Sequence, residues 1–325
     1  MILKKLRNSY SAQITLFVVI PVLLWIPSFI SPEKVYEPEV SGILYSFIVQ
    51  LFGSLGLVST IVAFVLVLFQ GLLLNIIFTT NLLTPKTSFL PAILFVTCFS
   101  FLPQFHTISP ILFINLLVLL TLRYLFRAYS DLLVFDSFFN ACFCISIITL
   151  IYPPAWILLL VIPISIFVYR IFTWRIWIIS FLGILFPYII LIIYYWMTDK
   201  LDADSLSLVK NYYLVPKIDS INKAYDIFLG IATTILLLVA LRISLNISSD
   251  NLMSIKRKTQ VLLCFSLLAL PISFNESVFP INIMYLSIFF AFAYTHLLYK
   301  KWKPILLNLL FLLLITVIIV GNLLK

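Results

Sequence analysis

The sequence predicts an all-α polytopic membrane protein of about eleven transmembrane helices, and three observations carry that expectation. Hydrophobic residues make up 63% of the 325-residue chain and charged residues only 10%, with a mean hydropathy of +1.18. A soluble domain needs far more polar surface. The apolar residues come in continuous runs, not in the period-two alternation of a barrel strand, and only helices or a closed barrel satisfy the backbone in lipid. Finally, basic residues concentrate in every second break between runs, which is the charge signature of alternating sides.

The stretch 135–188 sets the frame. Two apolar runs meet at Tyr152-Pro153-Pro154, and a third begins after Tyr169-Arg170-Ile171-Phe172-Thr173-Trp174-Arg175. A run of about 18 or more apolar residues is long enough to cross a bilayer. The first break is uncharged and the second holds two arginines, so the two lie on opposite sides.

Taken in order, residues 1–12 are basic and a first helix is expected at about 13–30, followed by an acidic loop at 31–42. No cleavable leader is expected, because Pro32, Glu33 and Lys34 follow the first apolar run where small residues would mark cleavage. Residues 43–80 exceed one span and divide near Gly53-Ser54-Leu55-Gly56 into an interfacial helix and a spanning helix. Further helices are expected at about 88–103, 110–126, 137–151, 155–170 and 176–197. The polar segment 199–226, rich in Asp and Lys, is the one long loop and is expected to dock on the membrane surface or a partner. Helices at about 227–246, 260–274, 283–299 and 304–323 complete a single domain, 1–325, with basic loops at 170–175, 247–259 and 300–303.

With the N-terminus inside and the C-terminus outside, 15 of the 21 basic residues fall on the inner side and nine of the 12 acidic residues on the outer side. The same rule accounts for the net charge of +9. The basic residues are dispersed over short loops, not gathered on one soluble face, so no nucleic-acid partner is expected.

The chemistry-bearing residues are few. Cys98, Cys142, Cys144 and Cys264 all lie in apolar runs and read as small buried hydrophobes. Cys142 and Cys144 are two apart and point to nearly opposite sides of a helix. His106 and His296 lack metal-ligand spacing, and no metal site is expected from them or from the cysteines. Asp136 and Glu276 sit near helix ends, where water reaches them. Glycine is scarce, at 7 residues, and no carboxylate sits mid-span, which is unlike the broken helices of ion-coupled transporters.

The first outer loop is the strongest candidate site. Glu33, Glu37 and Glu39 stand beside Tyr36. Such carboxylates are suited to act as a general base on an acceptor hydroxyl, or to hold a divalent cation beside a phosphate leaving group. A solvated acidic loop that obeys the charge bias is the plainer alternative. His106, in the next outer loop, is placed to donate to a phosphate or stabilise an anion, the plainer alternative being a merely interfacial histidine. Tyr152, Trp156, Tyr188, Tyr194, Tyr195, Trp196, Tyr212 and Tyr213 crowd the outer side, as an aromatic belt or as the wall of a groove for a lipid chain or a sugar. The sequons at Asn246 and Asn275 read as chance matches, the first on the inner side and the second close to the membrane.

These features together resemble the GT-C membrane glycosyltransferases, which use polyprenyl-phosphate sugars. An inner N-terminus and an acidic loop precede Leu44-Tyr45-Ser46-Phe47-Ile48-Val49-Gln50-Leu51-Phe52-Gly53, which is similar to the interfacial segment before those enzymes' second span. Ser88-Phe89-Leu90-Pro91-Ala92 through Phe101-Leu102-Pro103, and the run from Leu116 to Tyr129, resemble their third and fourth spans. Tyr152-Pro153 and the 169–175 turn also look like a family of polytopic bacterial inner-membrane proteins with which no activity is associated. The resemblance covers roughly residues 10–200 and rests on diffuse motifs.

The GT-C resemblance implies an enzyme with Glu33 or Glu37 as catalytic base. Tyr36, Glu39 and His106 would hold a polyprenyl-phosphate donor on the periplasmic face. GT-C enzymes carry an Asp-Glu pair shortly before a Tyr. Here the positions read Pro32-Glu33-Lys34-Val35-Tyr36, so Glu33 and Tyr36 fit, the aspartate is absent, and Glu37 or Glu39 stands in reach as a substitute. The alternative is a non-catalytic subunit of an envelope complex for secretion, motility or transport, with membrane-protein partners. An acid-lined, water-filled cavity under the first outer loop is expected of the enzyme, and a closed outer face of the subunit.

Overall fold

The computed structural model describes residues 10–32, 35, 42–53, 55–84, 88–100, 106–130, 134–197, 253–273 and 287–299. Among these the regular structure is entirely helical: α1 (Tyr10–Ile30), α2 (Ile43–Phe52), α3 (Gly56–Thr80), α4 (Leu90–Ser100), α5 (Pro110–Ser130), α6 (Val134–Ile151), a 3₁₀ helix (Pro153–Leu160) running into α7 (Val161–Tyr169), α8 (Trp174–Met197), α9 (Met253–Ser273) and α10 (Ser287–Tyr299). Five of these, α1, α3, α5, α6 and α8, are long and apolar enough to cross a membrane.

The division of 43–80 falls where the sequence placed it. Gly53 to Leu55 separates the ten-residue α2 from α3. Two differences concern helix ends. α5 runs on to Ser130, and α9 begins at Met253, seven residues before its expected start, so Lys256, Arg257 and Lys258 lie in its first turns and not in a loop. A third difference is internal. From Pro153 to Leu160 the chain winds as eight residues of 3₁₀ helix before α7, where an α-helix was expected from about 155. Runs this long in 3₁₀ geometry are uncommon.

The interior is mainly apolar with a few buried polar groups, and the exterior is apolar as well, unlike that of a soluble protein. Gln13, Gln70, Asn75 and Asn115 are buried, while α1, α3 and α8 expose rows of Val, Leu, Ile and Phe. In water such a surface would be a large apolar patch. Against lipid tails it is the natural exterior. α1 shows the rule at its simplest: its buried residues are Gln13, Phe17, Pro21 and Trp25, one stripe spaced by four.

α4, α5 and α6 form the centre. α6 packs against α5, α8, α2 and the 3₁₀ helix, and α4 packs against α1, α3 and α10. The α6–α8 crossing is close because it is lined by small residues. A Cβ on Gly183 would come within 2.8 Å of the Phe139 carbonyl and 2.9 Å of Cys142 Cβ. Ser146 Oγ donates to the Ile184 carbonyl at 2.7 Å. Thr149 Oγ1 donates to the Ser146 carbonyl, so the 2.6 Å contact with Tyr188 is the tyrosine hydroxyl donating to Thr149.

Contacts between elements sort the helix ends into two groups. At the first end, Trp25 and Ser28 meet Ser100 and His106, Gly42 meets Ile151, and Tyr45 and Ser59 meet Ile108. At the second, Gln13 meets Phe89, Asn81 meets Lys258, and Tyr169 meets Arg257. This is the up-and-down order the charge pattern requires. Arg123, Arg127, Arg170, Arg175, Lys256, Arg257 and Lys258, the described basic residues, all lie toward the second end.

Candidate functional site

Two features stand at the first end. One is a closed cluster around His106. The imidazole stacks on Trp25 with ring centroids 4.2 Å apart and planes 25° apart. Its Nε2 lies 3.1 Å from the Ser100 carbonyl, which can only accept, so Nε2 carries the proton. Nδ1 then accepts from the Ser28 hydroxyl at 2.5 Å. Trp25 Nε1 donates to Ser100 Oγ at 3.0 Å. Burial pushes the imidazole down from 6.5 to about 4, against the opposing effect of the Ser100 carbonyl. His106 sits in the loop where the sequence put it, but its ring points inward and both nitrogens are engaged.

The other feature is an apolar cleft of about 530 Å³ between α2, α6 and α8, within the range of small-molecule sites. α2 contributes Ile43, Leu44, Ser46, Phe47 and Gln50. α6 contributes Phe143, Ile147 and Leu150, and α8 contributes Pro187, Ile190, Leu191, Tyr194 and Tyr195. From Pro187 to Tyr195 the cleft follows about 12 Å of helix. Pro187 has no N–H for the Gly183 carbonyl, so α8 lacks one backbone bond at the cleft floor.

A backbone joint beside the cleft ties the start of α2 to the end of α6. Gly42 N–H donates to the Ile151 carbonyl at 2.9 Å, the last carbonyl of α6. A Cβ on Gly42 would collide with the carbonyl oxygens of Leu150 and Ile151, so the approach needs glycine. On the opposite side of α2, Tyr45 is fully buried and its hydroxyl donates to the Ile108 carbonyl at 3.2 Å. α2 is thereby pinned at its start, with Phe47 and Gln50 left exposed.

Of the sequence-selected residues, Glu33, Tyr36, Glu37 and Glu39 lie outside the described residues, as do Tyr212, Tyr213 and the segment 199–226. Tyr194 and Tyr195 line the cleft, Tyr188 braces the α6–α8 crossing beside it, and Tyr152 is buried. Asp136 is exposed in the first turn of α6, where a carboxylate suits the helix dipole. Cys142 and Cys144 are buried and all four thiols are free. Among the described residues no group of three His, Cys, Asp or Glu is close enough to hold a metal ion. Ile147, Leu150 and Ile190 were not singled out by sequence, because nothing distinguishes a cleft-lining Ile from a lipid-facing one in an unbroken apolar run.

Comparison of the chain with protein-family models, with curated proteins and with solved structures gives no match. The fold and the two features at its first end are what a functional reading rests on.

Proposed function

We propose that this protein binds the hydrocarbon chain of a lipid in the α2–α6–α8 cleft, and that it is an inner-membrane protein of about eleven spans in a GT-C-like arrangement, with N-terminus cytoplasmic and C-terminus periplasmic. The cleft is the observation that carries this reading. Its walls are apolar, its flanks Phe186, Ile189 and Ile193 are exposed as lipid-facing residues are, and its polar groups are confined to Ser46, Gln50, Tyr194 and Tyr195. That distribution suits a chain whose tail lies along α8 and whose head emerges by α2.

The chemistry most compatible with such a lipid is transfer of a sugar from a polyprenyl-phosphate carrier. In that mechanism Glu33 or Glu37 takes the proton from the acceptor hydroxyl, and Tyr36 and Glu39 position phosphate and sugar, with or without a divalent cation. The buried, doubly bonded His106 fixes the loop that follows α4. Loss of a general base typically lowers the rate by about a hundredfold to ten-thousandfold, so Glu33→Gln or Glu37→Gln would abolish transfer at unchanged protein level. One observation favours the second reading, a non-catalytic envelope-complex subunit. The His106 cluster at the first end is closed, with Trp25, Tyr45 and His106 buried, and no carboxylate lines the neighbouring cleft.

Ile147→Trp is the deciding variant, since it fills the cleft from α6 without touching the polar rim. The expected result is loss of the isoprenoid lipid that co-purifies with the wild type, together with loss of sugar transfer, at an unchanged melting temperature. A wild type that carries no lipid and is unaffected by Ile147→Trp would overturn the cleft reading. A wild type that carries lipid but transfers no sugar, and co-purifies with a membrane protein, would leave the subunit.

A further inference from the structure

The turn between α7 and α8 sits at the opposite end of the molecule from the cleft. α7 ends on Arg170, which adopts the left-handed conformation (φ 58, ψ 38). Arg170 N–H bonds to the Phe167 carbonyl and Ile171 N–H to the Ile166 carbonyl, a helix stop that ordinarily uses glycine. Here an arginine occupies it against the steric cost of its Cβ. The residues that follow alternate in chemistry. Phe172 and Trp174 are 61% and 70% exposed, and Arg170 and Arg175 on either side of them are exposed too. A third cation closes the group, since Arg257 from α9 donates to the Tyr169 carbonyl at 2.8 Å.

Exposed aromatics next to exposed arginines suit one environment above others. The rings belong at the level of the lipid glycerol and carbonyls, and the guanidiniums belong a few ångströms further out, at the phosphates. A guanidinium offers a planar fork that matches two phosphate oxygens. A residue kept only to end the helix would be better as glycine, and a residue kept only to orient the chain during insertion would not need flanking aromatics. We propose that the 169–175 turn is a binding site for the phosphate headgroup of an anionic phospholipid, with Arg170 and Arg175 as its ligands, Arg257 as a fixed neighbouring positive charge, and Phe172 and Trp174 as its anchors in the bilayer. This does not depend on the cleft or on any catalytic activity.

The test uses the full chain, purified and reconstituted after folding, so that insertion is already complete. Nanodiscs of phosphatidylcholine alone are compared with nanodiscs containing phosphatidylglycerol, reading the lipids retained by native mass spectrometry and the melting temperature. The wild type is expected to retain phosphatidylglycerol selectively and to melt higher in its presence, with both effects fading as salt is raised. Each arginine lost is expected to reduce the preference about fivefold, so Arg170→Gly with Arg175→Gln loses most of it. Arg170→Gly also relieves the left-handed strain, so in neutral nanodiscs it melts at or above the wild type, a split that a purely structural arginine would not give. Should the double variant fail to accumulate, Arg175→Gln alone leaves the helix stop intact and is expected to show the single-arginine loss. Equal retention of both lipids by the wild type, or an unchanged preference in the variants, would overturn the proposal. So would full stabilisation of the protein in neutral nanodiscs by inorganic phosphate, which would make the site one for free phosphate.

Discussion

Trp25 and His106 lie face to face 81 residues apart in sequence, and the stack joins the end of α1 to the loop after α4. Burial around the stacked ring disfavours its charged form, so the imidazole is held neutral. A free histidine titrates near 6.5 and this one near 4. Any open form of the loop therefore binds more protons than the closed form between those values. The sign follows: the closed form has its full stability above pH 6.5 and loses it progressively as pH falls towards 4, by roughly 3 kcal/mol in total. Nitrogen-15 spectra of histidine-labelled protein should show one of the two ring systems staying neutral to about pH 4, and His106→Gln should remove that signal. A normal titration near 6.5 for both rings would contradict the closed cluster.

Gly42, the residue that precedes α2, is expected to be intolerant of any side chain. Alanine there drives a methyl group into the carbonyls of Leu150 and Ile151, and neither can move without unwinding the end of α6. The expected cost is on the order of 3 kcal/mol. Because the joint ties α2 to α6 beside the cleft, Gly42→Ala should reduce lipid retention along with the melting temperature. Gly53→Ala, at the other end of α2, meets chiefly its own helix's Val49 and should leave lipid retention intact.

Much of this architecture was legible in the sequence, and what was not has a common cause. Apolar run lengths located the described helices, and Gly53-Ser54-Leu55-Gly56 located the break before α3, because these are local signals; the helices expected at 227–246 and 304–323 lie outside the described residues. The start of α9 was missed because Lys256-Arg257-Lys258 reads locally as a loop. Its meaning is long-range: Arg257 reaches the last turn of α7, 88 residues away, and Lys258 reaches Asn81 beyond α3, 177 residues away. Both partners end helices with a left-handed non-glycine residue, Arg170 and Leu82. The carbonyls there carry partial negative charge, so cations are stabilised beside them. The inward turn of His106 was hidden for the same reason, since only the fold brings Trp25 and Ser28 against the loop. The cleft was half visible: Tyr194 and Tyr195 marked one wall, and nothing in the sequence paired that wall with α2.

Lys258 supplies a direct test of the long-range pairing. It is only 5% exposed, its ammonium donates to Asn81 Oδ1 at 2.8 Å, and it lies 6.0 Å from the centre of the Tyr129 ring. Asn81 in turn donates through Nδ2 to the Ile77 carbonyl, so the amide both caps α3 and holds α9. Lys258→Met keeps the volume and leaves Oδ1 unsatisfied, at a cost of about 1–3 kcal/mol. A double-mutant cycle with Asn81→Ala should give a coupling of about 0.5–3 kcal/mol in melting experiments. Strict additivity would mean that the two side chains do not meet.

The two ends of the molecule make the last prediction, which concerns sidedness. All the described basic residues lie toward one end, and the helix-end contacts leave no freedom to move a single helix to the other side. Arg170 cannot change sides without taking Tyr169, Arg257 and Lys258 with it, nor Ser46 without Gly42 and Ile151. The orientation is therefore a single binary choice for the whole described bundle, and the positive-inside rule predicts that the basic end faces the cytoplasm. In a chain with the four native cysteines replaced by alanine, Ser46→Cys at the first end should react with a membrane-impermeant maleimide in intact spheroplasts. Thr173→Cys at the second end should react only after the membrane is opened. The reverse pair would invert the whole bundle and place the lipid cleft on the cytoplasmic side. Reaction of both in intact cells would break the link between the helix-end contacts and the charge pattern, since no alternating arrangement of these helices puts Ser46 and Thr173 on one face.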